Sequence, residues 1–413
     1  MAAGAGANGV VIVGAGLAGA KAAEALREQG FAGAVTLIGN EEHLPYERPP
    51  LSKEFLKGAK EQSDFTVHTR DWYTENNVDL RLGTTVTAVD TTARSVTLAD
   101  GEQLGYDSLV LATGSRSRHP DLPGADADGV FYLRTVDDSR HLIEALGEGV
   151  KLAIVGGGWI GLEVAAGARG RGADVTVVHR DAQPLIGPLG AEMGAMFADL
   201  HRQHGVHLVL DVDVSAVTTS DGHATGLDLS DGRTVASDIV LIAAGAIPNT
   251  ELAAAAGLAM ERGGVVADAG LRASAPDVYV VGDIADWYHP LFGMRVRSEH
   301  WAGALNHPAV AAANILGEDE AYDLLPYFYT DQYDLGMEYR GHAVGTSRVV
   351  IRGDLDKREL LAFWLDEHDV VLAGMNVNLW DDGDTIEALI KSRKPVDVDK
   401  LTDADVPLGE VLG

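Results

Sequence analysis

The chain has 413 residues, 46% of them hydrophobic, with 62 acids against 32 bases and a formal net charge of −30. That length exceeds one ordinary domain of roughly 100–200 residues, so two or three domains are expected. The charge argues against nucleic acid or an anionic membrane surface as a general partner, and the absence of cysteine excludes disulfides, thiolate metal sites and cysteine-based redox chemistry.

In chain order, the stretch before Lys21 lacks a basic start and is broken by Gly14, Gly16 and Gly19. Neither a cleavable signal nor a membrane span is expected there. "GVVIVGAGLAGAKAAEALREQG" reads as a buried strand (Val10–Val13), a glycine turn and a helix to about Gly30, and "AVTLIGN" as the next strand. Glu41, with Asn40 before it, follows that strand; a carboxylate accepts from both hydroxyls of a ribose. Pro49 and Pro50, in "HLPYERPPLSKEFL", suit the first turn of a helix carrying Arg48 and Lys53. "YDSLVLATGSRSR" is a strand ending in Ala112, Thr113 and Gly114.

"KLAIVGGGWIGLEVAAGARGRG" followed by "ADVTVVHR" repeats the first plan. In both copies the fingerprint follows an apolar run, opens a helix and precedes a second strand, which is the context that gives it meaning. Gly14 and Gly156 allow the tight turn, Gly16 and Gly158 let backbone approach a pyrophosphate, and Gly19 and Gly161 let helix pack on strand. The amides at Leu17 and Ala18, and at Trp159 and Ile160, then face the phosphates from a helix N-terminus. His179 lies eighteen residues beyond Gly161, near the usual offset of a ribose acid, and Arg180 follows it. These two read as a site for a 2′-phosphate, so NADPH is expected to be favoured; the alternatives are Asp181 turning inward to a ribose, or both basic residues lying in solvent with either coenzyme serving.

His201, His204 and His207 are three apart, but Gly205 ends their helix, and they read as surface residues with no metal. "SDIVLIAAGAIPNTEL" ends its strand at Gly245, and "PDVYVVGDIADW" ends at Gly282 and Asp283. Asp283 reads as an acceptor for a ribityl hydroxyl, or as a helix N-cap. Glu299, His300 and Trp301 open a helix whose amides suit an electron-rich ring edge, and Pro308 is expected to end or kink it after His307. After Tyr327 come short strands and the amphipathic helix "DTIEALIKS", an α+β pattern.

The order of these signatures, with "RPPLSK", "GGGWIGLE", "VGD", "EHW" and "DQYDLGMEY", resembles the two-dinucleotide-binding-domain flavoproteins. Within that superfamily it resembles the oxygenase-coupled FAD-dependent NAD(P)H:ferredoxin reductases. The resemblance implies an α/β fold of two Rossmann-like domains with a C-terminal α+β interface domain. Residues 1–118 and 249–323 would bind FAD, 119–248 NAD(P), and 324–413 would form the interface domain. It implies FAD contacts at Gly14, Gly16, Leu17, Ala18, Gly19, Glu41, Arg48, Lys53, Val86, Ala112, Thr113, Gly114, Gly282, Asp283, Glu299, His300 and Trp301. NAD(P) contacts fall at Gly156, Gly158, Trp159, Ile160, Gly161, Glu163, His179, Arg180 and Gly245. Lys53 and Glu163 would pair beside the reacting rings as the catalytic residues; solvated helix charges are the plainer reading. Tyr329 stands where relatives often have Trp.

The partner implied is a ferredoxin feeding an oxygenase, with rubredoxin or another acceptor, or a slow NAD(P)H-sensing flavoprotein like apoptosis-inducing factor, as alternatives. Ferredoxins are generally acidic, so docking needs local basic residues; Arg295, Arg297, Lys391, Arg393 and Lys394 are the candidates. A cytoplasmic monomer or homodimer is expected.

Overall fold

The computed structural model describes residues 9–412; the first eight, part of the stretch read above for a signal, lie outside the described residues. The chain divides into two units. The first comprises the described residues of Met1–Glu47, Gln62–Arg116 and Ile247–Tyr327; the second those of Arg48–Glu61, Ser117–Ala246 and Phe328–Gly413.

The first unit is built on a five-stranded parallel sheet. Its spatial order is Val278–Val280, Ser108–Leu111, Val10–Val13, Val35–Ile38 and Val78–Arg81. Val10, Val11, Ile12 and Val13 are all buried, as a strand covered on both faces requires. The helix Leu17–Glu28 buries a run of small residues, which lets it lie close to the sheet and to the helix Trp301–Ile315.

The second unit repeats this order with Val130–Phe131, Ile239–Ile242, Lys151–Val155, Asp174–Val178 and His207–Val209, again all parallel. The helix Trp159–Gly170 follows its glycine turn. Residues after 327 add a five-stranded sheet ordered Tyr327–Gln332, Leu335–Gly341, Val371–Val377, Glu359–Leu365 and Arg348–Asp354. One core joins this sheet to the helix Ala191–Gln203: Met193, Phe197 and Leu200 pack with Met337, Leu360, Trp364 and Met375.

Two expectations are corrected. Of the helix end or kink expected at Pro308, the end is ruled out: the helix Trp301–Ile315 runs through it. The proline removes one helical hydrogen bond, and it is buried. His201 is not on the surface; it is fully buried, because the last turn of its helix is covered by the C-terminal sheet, where Gln332 meets its ring. His204 is half-buried and His207 exposed.

Because Phe197 belongs to the core shared by the helix and the late sheet, truncating it should loosen both together. Phe197→Ala is expected to cost about 3–5 kcal/mol. Thermal unfolding followed by near-UV circular dichroism should show one lowered transition for the second unit; an unshifted melt would show that the shared core contributes little.

Candidate functional site

The first cradle is set by glycines doing different jobs. Gly14 has φ +114°, and a Cβ there would lie 2.1 Å from the Ala112 carbonyl oxygen. A Cβ on Gly19 would lie 1.8 Å from the Gly14 oxygen, so helix and turn touch backbone to backbone. Gly16 is the opposite case. It caps the helix without a side-chain bond, and nothing lies within 4 Å of where its Cβ would be. The side of the helix N-terminus at Gly16 is therefore open, as an anion site requires.

Around this turn the first unit gathers further expected residues. Ala112 donates its amide to Val13, Thr113 and Asn249 exchange hydrogen bonds, and Gly114 adopts φ +62°. Gly282 has φ +72°, and a Cβ on it would meet Ala18 at 3.3 Å and Ala304 at 3.8 Å. Its amide donates to His307 Nδ1 at 3.2 Å. Asp283 is buried beside it in a short 3-10 turn that Val281 caps, so it is not the N-cap. Burial pushes the His300 ring down to about 4, against the opposing pull of Asp283. Trp301 Nε1 donates to Glu47 at 2.9 Å, a partner with no sequence signal of its own. Glu41 accepts from Tyr46 at 2.6 Å, and Val86 is buried in the strand Val86–Asp90.

The second cradle repeats the first. Gly156 has φ +113° with the Ala243 oxygen 2.4 Å from its absent Cβ, a Cβ on Gly161 would meet the Gly156 oxygen at 2.2 Å, and Gly158 faces open space. Trp159 packs on Phe197 and Phe328, Ile160 is exposed, and Gly245 adopts φ +101°. The copies part at the end of the second strand. Val10 pairs with Val35 and Leu152 with Val175, so Gly39 matches His179 and Glu41 matches Asp181. A Cβ on Gly39 would strike Ala15, whereas His179 lies against Gly157 and accepts its amide at Nδ1, 3.1 Å away. The bulk has been exchanged across the turn. Burial lowers the His179 pKa, so the ring is neutral at neutral pH, and its Nε2 lies 3.4 Å from Asp181. Arg180 is 74% exposed. His179 and Arg180, expected to meet one phosphate, differ in burial, yet both lie within 4.0 Å of the Asp181 carboxylate.

The second unit also holds the expected pair. Pro49–Ser52 form a 3-10 turn with Arg48 at its N-cap and donating to the Arg134 carbonyl. Lys53 and Glu163 are 5% and 4% exposed, and Nζ lies 2.9 Å from Oε1. They are not solvated helix charges. The Tyr329 ring sits 5.3 Å from Nζ, giving the cation an aromatic face. Ser52 and Thr330 both donate to the Glu163 carboxylate. Neither stood out in the sequence, because hydroxyl residues are common and these come from segments far from Glu163.

The basic candidates differ. Arg295 donates to the Ala267 carbonyl and faces Glu261, and Arg297 pairs with Glu299. Lys391, Arg393 and Lys394 are exposed near the end of the helix Gly383–Ser392, with Lys391 paired to Glu387.

Residues 8–307 match the family described as "Pyridine nucleotide-disulphide oxidoreductase", and residues 327–412 match "Reductase C-terminal". The chain belongs to the pyridine nucleotide-disulphide oxidoreductase family. It is 39% identical over 402 residues to the ferredoxin–NAD(+) reductase component of the anthranilate 1,2-dioxygenase system of Burkholderia cepacia, covering 97% of this chain and 98% of that protein. It is 36% identical over 410 residues to the putidaredoxin reductase of Pseudomonas putida, covering 98% and 97%. The solved covalent complex of putidaredoxin reductase with putidaredoxin superposes with a TM-score of 0.92 at 35% identity, covering 98% of each chain.

This is an oxidoreductase family that binds FAD and depends on NAD(P). The residues present fit two dinucleotides: each cradle leaves open the one glycine position where a Cβ would stand in a ligand's place, and closes the two that must pack. That contrast generates a test. Gly16→Ala should leave the melting temperature of the apoprotein nearly unchanged but reduce FAD retention by at least about tenfold, since a methyl group there obstructs only the ligand. Gly14→Ala should lower both. Flavin absorbance after gel filtration reads the outcome; normal FAD retention in Gly16→Ala would mean that this face does not hold the cofactor.

Proposed function

We propose that the chain is an FAD-dependent NAD(P)H:ferredoxin reductase serving an oxygenase. The observation that carries the reading is the coexistence of two dinucleotide cradles with a buried lysine–glutamate pair, in a chain without cysteine. Its relatives are named as ferredoxin reductase components of oxygenase systems. Bound FAD would supply the conversion of one hydride into two single electrons.

The first unit would hold FAD through Gly14–Gly19, Glu41 and the Gly282–Asp283 turn. The second would hold the coenzyme through Gly156–Gly161. Lys53 would place a fixed cation near the reacting rings, where a preorganised charge acts on the transition state, and Glu163 would keep Lys53 in place. The absence of cysteine leaves no dithiol to accept electrons within the chain. Among the described residues no helix is long and apolar enough to cross a membrane, and a cytoplasmic setting belongs to the same reading.

For the coenzyme, the shared register favours Asp181 as the counterpart of Glu41. Asp181 would accept from the ribose 2′-hydroxyl and repel a 2′-phosphate, which favours NADH. Asp181→Ala is expected to raise the KM for NADH about tenfold, the worth of a charge-assisted hydrogen bond, and to improve use of NADPH. Ferricyanide assays with both coenzymes measure this; an equal loss for both would return the preference to Arg180.

The acceptor is tested by cytochrome c reduction with and without a [2Fe–2S] ferredoxin. The expected result is a rate that depends on ferredoxin and saturates with it. Slow reduction that ferredoxin does not accelerate would favour an NAD(P)H-sensing flavoprotein.

A further inference from the structure

The buried ring of His201 belongs to a chain of hydrogen bonds that runs from Lys53 to Tyr333. Lys53 Nζ lies 2.9 Å from Glu163 Oε1, and Thr330 Oγ1 donates to the same oxygen at 2.7 Å. Gln332 Nε2 donates to Thr330 Oγ1 at 3.2 Å, Gln332 Oε1 lies 2.8 Å from His201 Nε2, and Tyr333 Oη lies 3.3 Å from His201 Nδ1. Glu163, Thr330, Gln332 and His201 are all at most 4% exposed.

The direction of this chain is fixed from its Glu163 end. A carboxylate only accepts, so the Thr330 hydroxyl proton points at Glu163. Thr330 then accepts from the Gln332 amide, which turns the Gln332 carbonyl toward His201. A carbonyl only accepts, so His201 carries its proton on Nε2, and Nδ1 accepts from Tyr333. Burial pushes the His201 pKa down to about 4, with Gln332 opposing and His204 adding to the effect, so the ring is neutral near pH 7. Every donor points toward Glu163, which also accepts from Ser52.

We propose that His201 is a positioning residue for the reaction, holding Gln332 in the one orientation that commits the Thr330 hydroxyl to Glu163 and so maintains the Lys53–Glu163 ion pair. Without His201 the Gln332 amide is free to turn its oxygen to Thr330. The hydroxyl then donates to Gln332, and Glu163 loses a donor. The catalytic consequence rests on the role given to Lys53 and Glu163 above; the hydrogen-bond direction does not.

The charged groups that bear on these sites are few. Lys53 and Asp331 lie near Glu163, and Glu54 and Lys57 bear on Asp331, whose own pKa burial raises. Around His201 stand His204 at the C-cap of its helix, Tyr333, and Asp334, 3.9 Å from His204; Arg169 bears on Tyr333. None supplies a second donor to the Gln332 carbonyl among the hydrogen bonds of the described residues.

Two measurements on the full-length holoprotein test this. Histidine-selective 15N NMR at pH 7, with His201→Phe to assign the signal, should find a neutral ring protonated at Nε2. A charged ring, or one protonated at Nδ1, overturns the direction of the chain. Anaerobic stopped-flow flavin reduction across pH should show the acidic limb moved up by about one unit in Thr330→Val, Gln332→Met and His201→Phe, the scale of one hydrogen bond to a charge. The coenzyme KM should stay within about twofold, and Thr330→Ser should restore the profile. His201→Phe combined with Thr330→Val should add no further shift, since both cut the same chain. Thr330→Val is nearly isosteric and keeps the test open if His201→Phe folds poorly. Additive shifts, or unmoved profiles in folded variants, overturn the proposal. If Glu163→Gln also leaves the rate unchanged while the NMR result stands, it is the catalytic reading of the pair that fails.

Discussion

A buried charge needs partners, and the Lys53–Glu163 ion pair determines much of what surrounds it. Taking both ions out of water costs several kcal/mol each, and losing one partner alone costs about 3–5 kcal/mol. The second unit meets that cost with hydroxyl donors from Ser52 and Thr330 and with the Tyr329 ring beside the ammonium. Three separate stretches must therefore come together: the proline turn, the helix after the second glycine fingerprint, and the first strand of the C-terminal sheet. The core around Phe197 and Trp364 fixes that strand relative to the helices.

The duplicated cradle shows the same economy at the backbone. Both copies use one glycine for a left-handed turn, one left open and one pressed against carbonyl oxygen. They diverge where the two ligands differ. Gly39 faces Ala15 in one, and His179 faces Gly157 in the other, so each turn is filled to similar depth by opposite sides. A neutral His179 accepts the Gly157 amide, and the acid stands two residues on at Asp181, in register with Glu41.

Much of this was legible in the sequence because the signals are local. A glycine turn between apolar strand and helix leaves little choice of conformation, and the strands Val10–Val13 and Asp174–Val178 follow from their apolar runs. The Lys53–Glu163 pairing came only from family likeness, since 110 residues separate them and neither has a local partner signal. His201 was misread because periodicity along one helix says nothing of a sheet arriving 130 residues later to cover it. At Pro308 local sterics allow a helix end or a kink, and only the end is excluded, since the helix Trp301–Ile315 continues through it. The direction of His179 likewise depended on strand register, which residue counting from Gly161 placed near the ribose but could not orient.

The central claim is that the buried ion pair acts on hydride transfer and not on holding the cofactor. The direct test is Lys53→Met, which keeps the length of the side chain and removes its charge, in anaerobic single-turnover reduction of the bound flavin at saturating coenzyme. The account predicts flavin content within about 20% of wild type and a reduction rate lowered at least about tenfold, the effect of removing one charged contact made in the transition state. A wild-type rate in a fully loaded Lys53→Met protein would contradict it.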